Sequence, residues 1–373
     1  MANLEYSHCR IAGISVSVPE RVRRSEEFTD FIGEEGVDKF IKTVGIVQGH
    51  ICDEQMTCSD LCADAAERLM TDLDIDRQSI DALLFVSQTP DYIAPSTACV
   101  LQHRLGLSEE CLAYDINLAC SGYVYGVSAA MSYLQTRGIN RVLLLAGDTV
   151  SKHCSPEDRA LTMLSTDAGS ATLLERSGDS QPAGRFTLRT QGQGFRSLIV
   201  PFGGYRHRFG NTTRVEIEPG VSRCDYDGYM DGTEVFRFSV MEVPKLFKAF
   251  YEHFDIDAST IAQFFLHQAN LFILGNVAKR VKIDKAQLPI SIDRYGNTGA
   301  ATIPTTICDH YARDTAAEVS DLVLLCGFGI GLSLGIGTVT LDRTRILPIG
   351  ICTTRFDDRI DALHEDAKPF INA

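Results

Sequence analysis

The stretch Asp115-Ile116-Asn117-Leu118-Ala119-Cys120-Ser121-Gly122-Tyr123 joins two segments of different periodicity. Residues 112–117 form a short and mostly apolar run, which predicts a strand. Beyond the stretch, apolar residues recur at helical spacing, namely Val124, Val127, Met131 and Leu134. This pattern predicts an amphipathic helix over 121–137 and places Cys120 where that helix begins.

The position of Cys120 suggests a nucleophile. A helix start offers unpaired N–H groups and the positive end of the dipole, and both favour a thiolate. We therefore expect a lowered pKa for Cys120, and small neighbours would let a substrate carbonyl reach its sulfur. The alternative is an inert buried cysteine, which is common because cysteine is among the most buried residue types.

Composition narrows the class of protein. The chain has 373 residues, 45% of them hydrophobic and 23% charged, with a net charge of -14. An acidic chain is a poor match for nucleic-acid phosphates, so we expect no nucleic-acid binding. No run of residues predicts a signal peptide or a membrane span, so we expect a cytoplasmic protein. The twelve cysteines contain no C-x-x-C pair and complete no zinc pattern, so no metal site is expected.

Strands and helices alternate along the whole chain, which indicates an α/β fold with largely buried sheets. A polar segment at 177–184 is the candidate boundary between two halves, and we predict domains 1–180 and 181–341. Residues 200–223 are predicted to run over the surface, and Pro244 is expected to kink or split a helix over 234–254. Residues 342–373 are predicted to form an appendage that ends in a weakly helical segment, 359–366.

Three further sites stand at strand ends or in glycine-bounded loops. His267 follows a buried strand, Asn297 lies in a Gly-Asn-Thr-Gly loop before a helix, and residues 327–331 form a Gly-rich turn between two strands. Strand ends are where open α/β sheets place chemistry. Each site alone also has a simpler explanation as a core histidine or an ordinary turn. The Gly-rich turn leads into a strand, so it is not a dinucleotide-binding fingerprint.

Together these stretches resemble the type III ketoacyl synthases, which belong to the thiolase-like condensing enzymes. The resemblance covers residues 8–341 and is most specific at Cys120, at His267-Gln268-Ala269-Asn270 and at Gly296-Asn297-Thr298. It implies a thiolase-like fold of two similar α/β halves in α-β-α-β-α layers. It also implies a reaction that needs no metal or redox cofactor and in which acyl-CoA and acyl-carrier-protein thioesters are the substrates.

The resemblance also assigns roles to residues. Cys120 would accept an acyl group from a thioester, and the backbone N–H groups of Cys120 and Gly331 would stabilise the oxyanion. His267 and Asn297 would then stabilise the enolate formed when a malonyl thioester loses carbon dioxide, before decarboxylative Claisen condensation. Arg159, Asn270, Lys279, Arg280 and Ala94 would contact the substrate or its carrier. The family implies a homodimer and an acyl carrier protein as partner.

The chain departs from the family at the nucleotide clamp and at the carrier-docking helix. Many members stack adenine between Trp and Arg, whereas this chain has no Trp and carries Lys39 and Thr43 there. After Leu271, many members carry an Arg where this chain has Phe272. Other basic residues remain as candidates for carrier docking, namely Lys245, Lys248, Arg206, Arg208 and Arg214.

Ala94, next to Tyr92 and Ile93, takes the position where members that use very short primers carry Phe. We therefore hypothesise a primer longer than acetyl. Two alternative functions stay open. The protein could be an acyltransferase of this fold that moves an acyl group to a hydroxyl or amine in specialised metabolism, or a partner subunit of a hetero-oligomeric synthase.

Overall fold

A computed structural model describes residues 1–159, 161–180, 182–313 and 320–358. The first part of the chain forms β1 (Ala2–Ser7), β2 (Cys9–Pro19), β3 (Val22–Arg24), α1 (Thr29–Ile32), α2 (Glu34–Val44), β4 (Gln48–His50), α3 (Cys58–Asp72), β5 (Ala82–Val86), α4 (Thr97–Arg104), β6 (Leu112–Ile116), α5 (Gly122–Tyr133), β7 (Arg141–Thr149) and β8 (Asp167–Arg176). The second part forms β9 (Pro182–Thr190), β10 (Leu198–Ile199), β11 (Val215–Glu218), β12 (Val221–Arg223), β13 (Tyr229–Met230), α6 (Gly232–Phe254), β14 (Gln263–Leu266), α7 (Leu271–Val281), α8 (Ile292–Tyr295), α9 (Thr302–Tyr311), β15 (Ser320–Gly329), β16 (Ser333–Asp342) and β17 (Gly350–Cys352).

The two main sheets have the same succession of antiparallel and parallel strand pairs. The first sheet has the order β17-β2-β8-β7-β5-β6, and the second has the order β1-β9-β16-β15-β14. In the first, β2 pairs antiparallel with β8, β8 antiparallel with β7, and β7 parallel with β5. In the second, β9, β16, β15 and β14 repeat the same sequence of orientations. The prediction of two similar halves is confirmed.

Helices α5 and α9 lie between the two sheets. Their buried side chains join both sheets in one apolar core, with Tyr123 and Val127 from α5 and Ile303 and Ile307 from α9. Helices α3 and α4 cover the outer face of the first sheet, and α6 and α7 cover the second. The predicted α-β-α-β-α layering is therefore confirmed, and it buries the starts of α5 and α9 in the middle of the molecule.

Local sequence signals placed most elements correctly. Helix α3 begins at Cys58, where Thr57 and Asp60 form a reciprocal capping box. Helix α5 ends at Tyr133, before the predicted residue 137. The expected split at Pro244 does not occur, since α6 continues through it. The buried side chains of Val243, Leu246 and Phe247 pack this part of α6 into the core and offset the lost hydrogen bond.

At each end of the described chain, a strand pairs with the sheet of the other half. β1 pairs with β9 in the second sheet, although it precedes the first half. β17 lies in the predicted appendage and pairs with β2 in the first sheet. We keep the division into 1–180, 181–341 and 342–373 as a proposal about domains. The predicted helical segment 359–366 lies outside the described residues.

The predicted surface segment 200–223 contains the hairpin of β11 and β12, and every residue of β11 is exposed. Among the described helices, none has the length and apolar character needed to cross a bilayer.

Candidate active site

Cys120 lies where the two halves touch. It follows β6 directly and precedes α5, and the end of β15 passes against it. A Cβ added at Gly327 would lie 2.7 Å from the carbonyl oxygen of Cys120. A Cβ added at Gly329 would lie 2.6 Å from Cβ and 2.7 Å from Sγ of Cys120. No side chain fits in either place, so glycine is required for the second half to approach the cysteine this closely.

The pKa of Cys120 differs from the sequence prediction. Burial raises the pKa of the thiol to about 11, with a smaller contribution in the same direction from the Asp148 carboxylate, although the N–H groups of Ile330 and of Cys120 itself act to lower it. The predicted lowering is therefore wrong, because enclosure between the two halves outweighs the helix start. The N–H of Ile330, next to Gly331, reaches the sulfur, and the predicted role of Gly331 as an oxyanion donor stays a prediction.

His267 is buried directly after β14. Its N–H donates to the carbonyl of Cys326 at 2.8 Å, and its ring stands edge-on to Phe328 with centroids 5.7 Å apart. Its Nδ1 lies 2.6 Å from the Thr302 hydroxyl. Burial lowers the pKa of His267 to about 3, so the imidazole is neutral at physiological pH.

The Thr302 hydroxyl lies between two groups that can bond to it. Its oxygen is 2.6 Å from His267 Nδ1 and 3.2 Å from the Gly299 carbonyl. A hydroxyl carries one proton, so it donates either to Nδ1 or to this carbonyl. Donation to Nδ1 corresponds to a neutral ring with its proton on Nε2, which is the tautomer that a donor role of Nε2 requires.

Asn297 is held by its backbone and by its side-chain oxygen. Its N–H donates to the Leu164 carbonyl at 3.2 Å, and its own carbonyl accepts from Thr166 N–H at 3.1 Å. Its Oδ1 accepts from the N–H of Gly299 at 3.2 Å. Of the two polar atoms of the Asn297 amide, only Oδ1 can accept a hydrogen bond from an N–H. This bond therefore fixes the orientation of the amide and leaves the Nδ2 donors available.

Asp148 joins two loops of the site, and the sequence did not single it out. Its carboxylate accepts from Ser87 Oγ at 3.0 Å, from Gln88 N–H at 2.7 Å and from Ala300 N–H at 2.7 Å. Burial raises its pKa to about 7, although all three hydrogen bonds lower it. Asp148 therefore ties the loop after β5 to the loop that carries Asn297. The feature of the sequence that could have identified Asp148 is its position near the end of the buried apolar strand β7.

One cavity of about 150 Å³ is lined by Cys120, Asp148 and Asn297, whereas His267 is not among its lining residues. Its polar end is formed by Cys120, Asp148, Asn297, Gln88 and Thr89. Its wall is mostly apolar and includes Val150, Leu161, Leu164, Leu198, Ile199, Val200, Met230 and Ile330. Gly299 also lines the cavity, and Thr302 links Gly299 to His267. The cavity can therefore hold an apolar chain whose reactive end meets a thiol and polar donors.

The residues predicted to contact substrate or carrier lie apart from this cavity. Arg159, Lys279, Arg280 and Ala94 are exposed. Asn270 instead caps α7, with its side chain accepting from Ile273 N–H at 2.7 Å. Its predicted contact with substrate remains a proposal, in competition with this structural role.

The other positions at which the chain differs from the expected family pattern also lie on the surface. Lys39 and Thr43 are exposed on α2. Phe272 is 53% exposed and its ring stacks on Phe236, with centroids 5.3 Å apart.

The predicted basic cluster separates into two groups. Three of its members already pair with carboxylates: Arg214 with Asp227, Lys245 with Glu242, and Lys248 with Glu252. Arg206 and Arg208 are exposed, and Arg208 lies over the Phe209 ring at 5.1 Å. Within the part of the chain that the structure describes, no three His, Cys, Asp or Glu side chains come together as metal ligands.

A raised pKa at Cys120 predicts a steep pH profile for alkylation by iodoacetamide. Only the thiolate reacts, and its fraction grows about tenfold per pH unit below the pKa. We expect the rate at the Cys120 peptide to rise without a plateau from pH 7 to pH 9, as followed by peptide mass spectrometry, with Cys120→Ala as control. A plateau near pH 7 would show a lowered pKa instead.

The close approach at Gly329 predicts the effect of one added methyl group. In Gly329→Ala the new Cβ collides with Cys120, so we expect unfolding free energy to fall by about 1–3 kcal/mol and alkylation of Cys120 to slow. Gly204→Ala is the matched control, because a Cβ there meets nothing within 4 Å. Urea unfolding and alkylation rates test this, and equal behaviour of the two variants contradicts it.

Comparison with known proteins agrees with this architecture. Residues 114–192 match the family model for 3-oxoacyl-[acyl-carrier-protein] synthase III, and residues 252–341 match the model for its C-terminal part. The chain is 34% identical over 338 residues to a Campylobacter jejuni protein provisionally named 3-oxoacyl-[acyl-carrier-protein] synthase 3, covering 88% of this chain and 93% of that protein. It is 31% identical over 331 residues to the beta-ketoacyl-[acyl-carrier-protein] synthase III of Alkalilimnicola ehrlichii, covering 88% and 98%.

A solved 3-oxoacyl-(acyl-carrier protein) synthase from Burkholderia xenovorans superposes with a TM-score of 0.85 and 34% identity, over 94% of this chain and 99% of that one. The likeness thus extends over both halves and all five layers. The chain belongs to the beta-ketoacyl-[acyl-carrier-protein] synthase III family, and it is a condensing acyltransferase with the thiolase-like fold.

Proposed function

We propose that the protein transfers an acyl group from a thioester to Cys120 and then condenses it with a malonyl thioester. The observation that carries this proposal is the single cavity that contains Cys120 and Asn297, with His267 linked to its wall through Thr302. A thiol and two neutral donors are what the two half-reactions need.

In the first half-reaction, the Cys120 sulfur attacks the thioester carbonyl and the bond to the departing thiol breaks. The proton lost by Cys120 leaves with that thiol, so no net proton is consumed. The N–H groups of Cys120 and Ile330 are the proposed donors to the oxyanion, since both already reach the sulfur. Gly331, the donor expected from the sequence, is replaced in this proposal by its neighbour.

In the second half-reaction, a malonyl thioester loses carbon dioxide and its thioester oxygen takes up enolate charge. His267 Nε2–H and Asn297 Nδ2–H are the proposed donors to that oxygen. The enolate carbon then attacks the acyl group on Cys120, and the carbon–sulfur bond breaks. The thiolate regains a proton, and a 3-oxoacyl thioester is released. Because His267 is neutral, it is suited to donation and poorly suited to accepting a proton at pH 7.

The proposed roles of His267 and Asn297 predict selective losses of activity. His267→Ala and Asn297→Ala should each lower decarboxylation of a malonyl thioester by about 10²–10³, because each removes one oxyanion donor. Acyl loading of Cys120 should persist in both. Carbon dioxide release and intact protein mass report the two steps separately.

The matched controls are His253→Ala, which removes an exposed histidine, and Asn276→Ala on α7. Cys120→Ala should gain no acyl mass. If acyl loading proceeds in the native protein without carbon dioxide release from any malonyl thioester, the acyltransferase alternative is favoured. If Cys120 acquires no acyl mass from any donor, the partner-subunit alternative is favoured.

The cavity supports a primer longer than acetyl. An apolar cavity of this volume accommodates a molecule about the size of benzene, which corresponds to about six carbons. An acetyl group would leave most of the apolar wall uncovered, whereas a longer chain gains burial of apolar surface.

We therefore expect loading of Cys120 to be fastest with acyl chains of about four to six carbons. Competition between acetyl, butyryl, hexanoyl and decanoyl thioesters, followed by intact mass, measures this preference. Strict preference for acetyl would disprove it.

We infer that the acyl or malonyl donor arrives on coenzyme A or on an acyl carrier protein. Lys279, Arg280, Arg206 and Arg208 are exposed and form no ion pair within the described residues, which suits an acidic carrier. Arg159 and Asn270 remain proposed contacts for substrate. The paired side chains of Arg214, Lys245 and Lys248 are weaker candidates for docking.

We also propose a cytoplasmic homodimer without a resident cofactor. All twelve cysteines are free thiols, as expected in a reducing compartment. β6 is an end strand of the first sheet, and its Leu112 is 41% exposed. A second copy could extend the sheet there and cover this edge.

A further inference from the structure

The C-terminal segment beyond β16 packs on the first half. We call residues 346–358 the C-terminal strap. Ile346 forms an isolated parallel bridge with Ile14, and β17 then pairs parallel with the end of β2. Cys352 is fully buried and belongs to a small apolar cluster with Met56 and Leu61. The first part of the strap is therefore anchored in the fold.

The strap continues along α3 and α4. Phe356 N–H donates to Asp60 Oδ1 at 2.9 Å, and Arg104 donates to the same oxygen at 2.7 Å. The Arg104 guanidinium also lies over the Phe356 ring, 5.0 Å from its centroid. Arg355 donates to Gln55 Oε1 at 2.8 Å. These polar contacts fix the path of the strap along α3 and α4 up to its last described residues.

The strap reaches the loop that borders the cavity. Tyr92 donates its phenol hydrogen to the carboxylate of Asp358. Tyr92 belongs to the loop 88–95, whose first residues, Gln88 and Thr89, line the cavity. Burial and the Asp358 carboxylate raise the pKa of Tyr92 to about 12, so the phenol remains a donor at physiological pH.

Residues 88–91 are tied to the rest of the fold. Gln88 N–H donates to Asp148 at 2.7 Å, Thr149 N–H donates to Thr89 Oγ1 at 2.9 Å, and Asp91 N–H donates to Thr97 Oγ1 at 3.1 Å. For residues 92–95, the described structure contains one hydrogen bond to the rest of the chain, from Tyr92 to Asp358. Ile93 is 76% exposed and packs little. The strap is therefore the main restraint on this part of the loop.

We propose that the C-terminal strap positions the loop 88–95 at the cavity, with Tyr92 and Asp358 as positioning residues that limit which acyl chains reach Cys120. Tyr92 and Asp358 are 266 positions apart in sequence, so this restraint exists only because β17 and Phe356 fix the strap. A hydrogen bond to a carboxylate is stronger than a neutral one, which suits a single contact that must order a loop. The link to acyl selection rests on the proposed function, whereas the restraint on the loop does not.

Hydrogen exchange tests the restraint directly. In Tyr92→Phe and in Asp358→Asn, the hydrogen-bonded amides of Gln88 and Asp91 should exchange about tenfold faster than in the native protein, because the loop that carries them loses or weakens one charge-assisted bond. Tyr205→Phe is the matched control, since Tyr205 is 82% exposed. Unchanged exchange in Tyr92→Phe would overturn the proposal.

Two truncations of the full chain separate the strap from the residues that follow it. Deletion of residues 359–373 keeps the Tyr92–Asp358 contact and should leave exchange of the loop unchanged. Deletion of residues 355–373 keeps β17 and removes the contact, so it should accelerate exchange as Asp358→Asn does. Equal exchange in the two truncations would contradict the proposal.

Acyl loading of Cys120 then tests the consequence for selectivity. With the contact removed, the ratio of loading rates between long and short acyl thioesters should shift, while the pH profile of Cys120 alkylation stays the same. If the loop exchanges faster but the ratio of loading rates is unchanged, the contact restrains the loop and the proposed role in selecting acyl chains is wrong. If the native protein loads no acyl group at all, the proposed function fails independently, and the exchange results still decide the restraint.

Discussion

The contact between the end of β15 and Cys120 is the constraint on which the site depends. Two glycines, Gly327 and Gly329, allow the backbone of the second half to lie against the cysteine of the first. The same strand leads to Ile330, whose N–H reaches the sulfur, and it carries Phe328 against the His267 ring. The reactive groups thus come from both halves, and a change in how the halves pack would separate them.

Enclosure between the halves sets the protonation states of the site. A helix start stabilises a charge by about 0.3–1 kcal/mol, which is less than one pKa unit. Burial acts more strongly here, because it moves the pKa of Cys120 up to about 11 and that of His267 down to about 3. Both groups are therefore neutral at physiological pH. In the proposed reaction, oriented N–H donors would stabilise the developing negative charge, and such donors do not need to be ionised.

The loops around the cavity are held from different parts of the chain. Asp148 connects the loop after β5 with the Asn297 loop, and the C-terminal strap reaches the same β5 loop from the opposite end of the sequence. The apolar wall draws on both halves, with Leu161 and Leu164 from the first and with β10 and β13 from the second. The thiol and its proposed donors come from the two halves, and the strap adds a contact from the C-terminal end of the described chain.

The sequence by itself determined the order of strands and helices and the two similar halves, and it singled out Cys120, His267 and Asn297 as candidates for the site. It could do so because periodicity, capping and glycine-bounded loops are local properties of neighbouring residues. Only the tertiary structure decided the direction of the Cys120 pKa, the approach of the Ile330 N–H to the sulfur, the hydrogen bonds of Asp148 and the contact of Tyr92 with Asp358. Each of these depends on burial, or on the approach of groups far apart in the chain, and no local pattern encodes such distances.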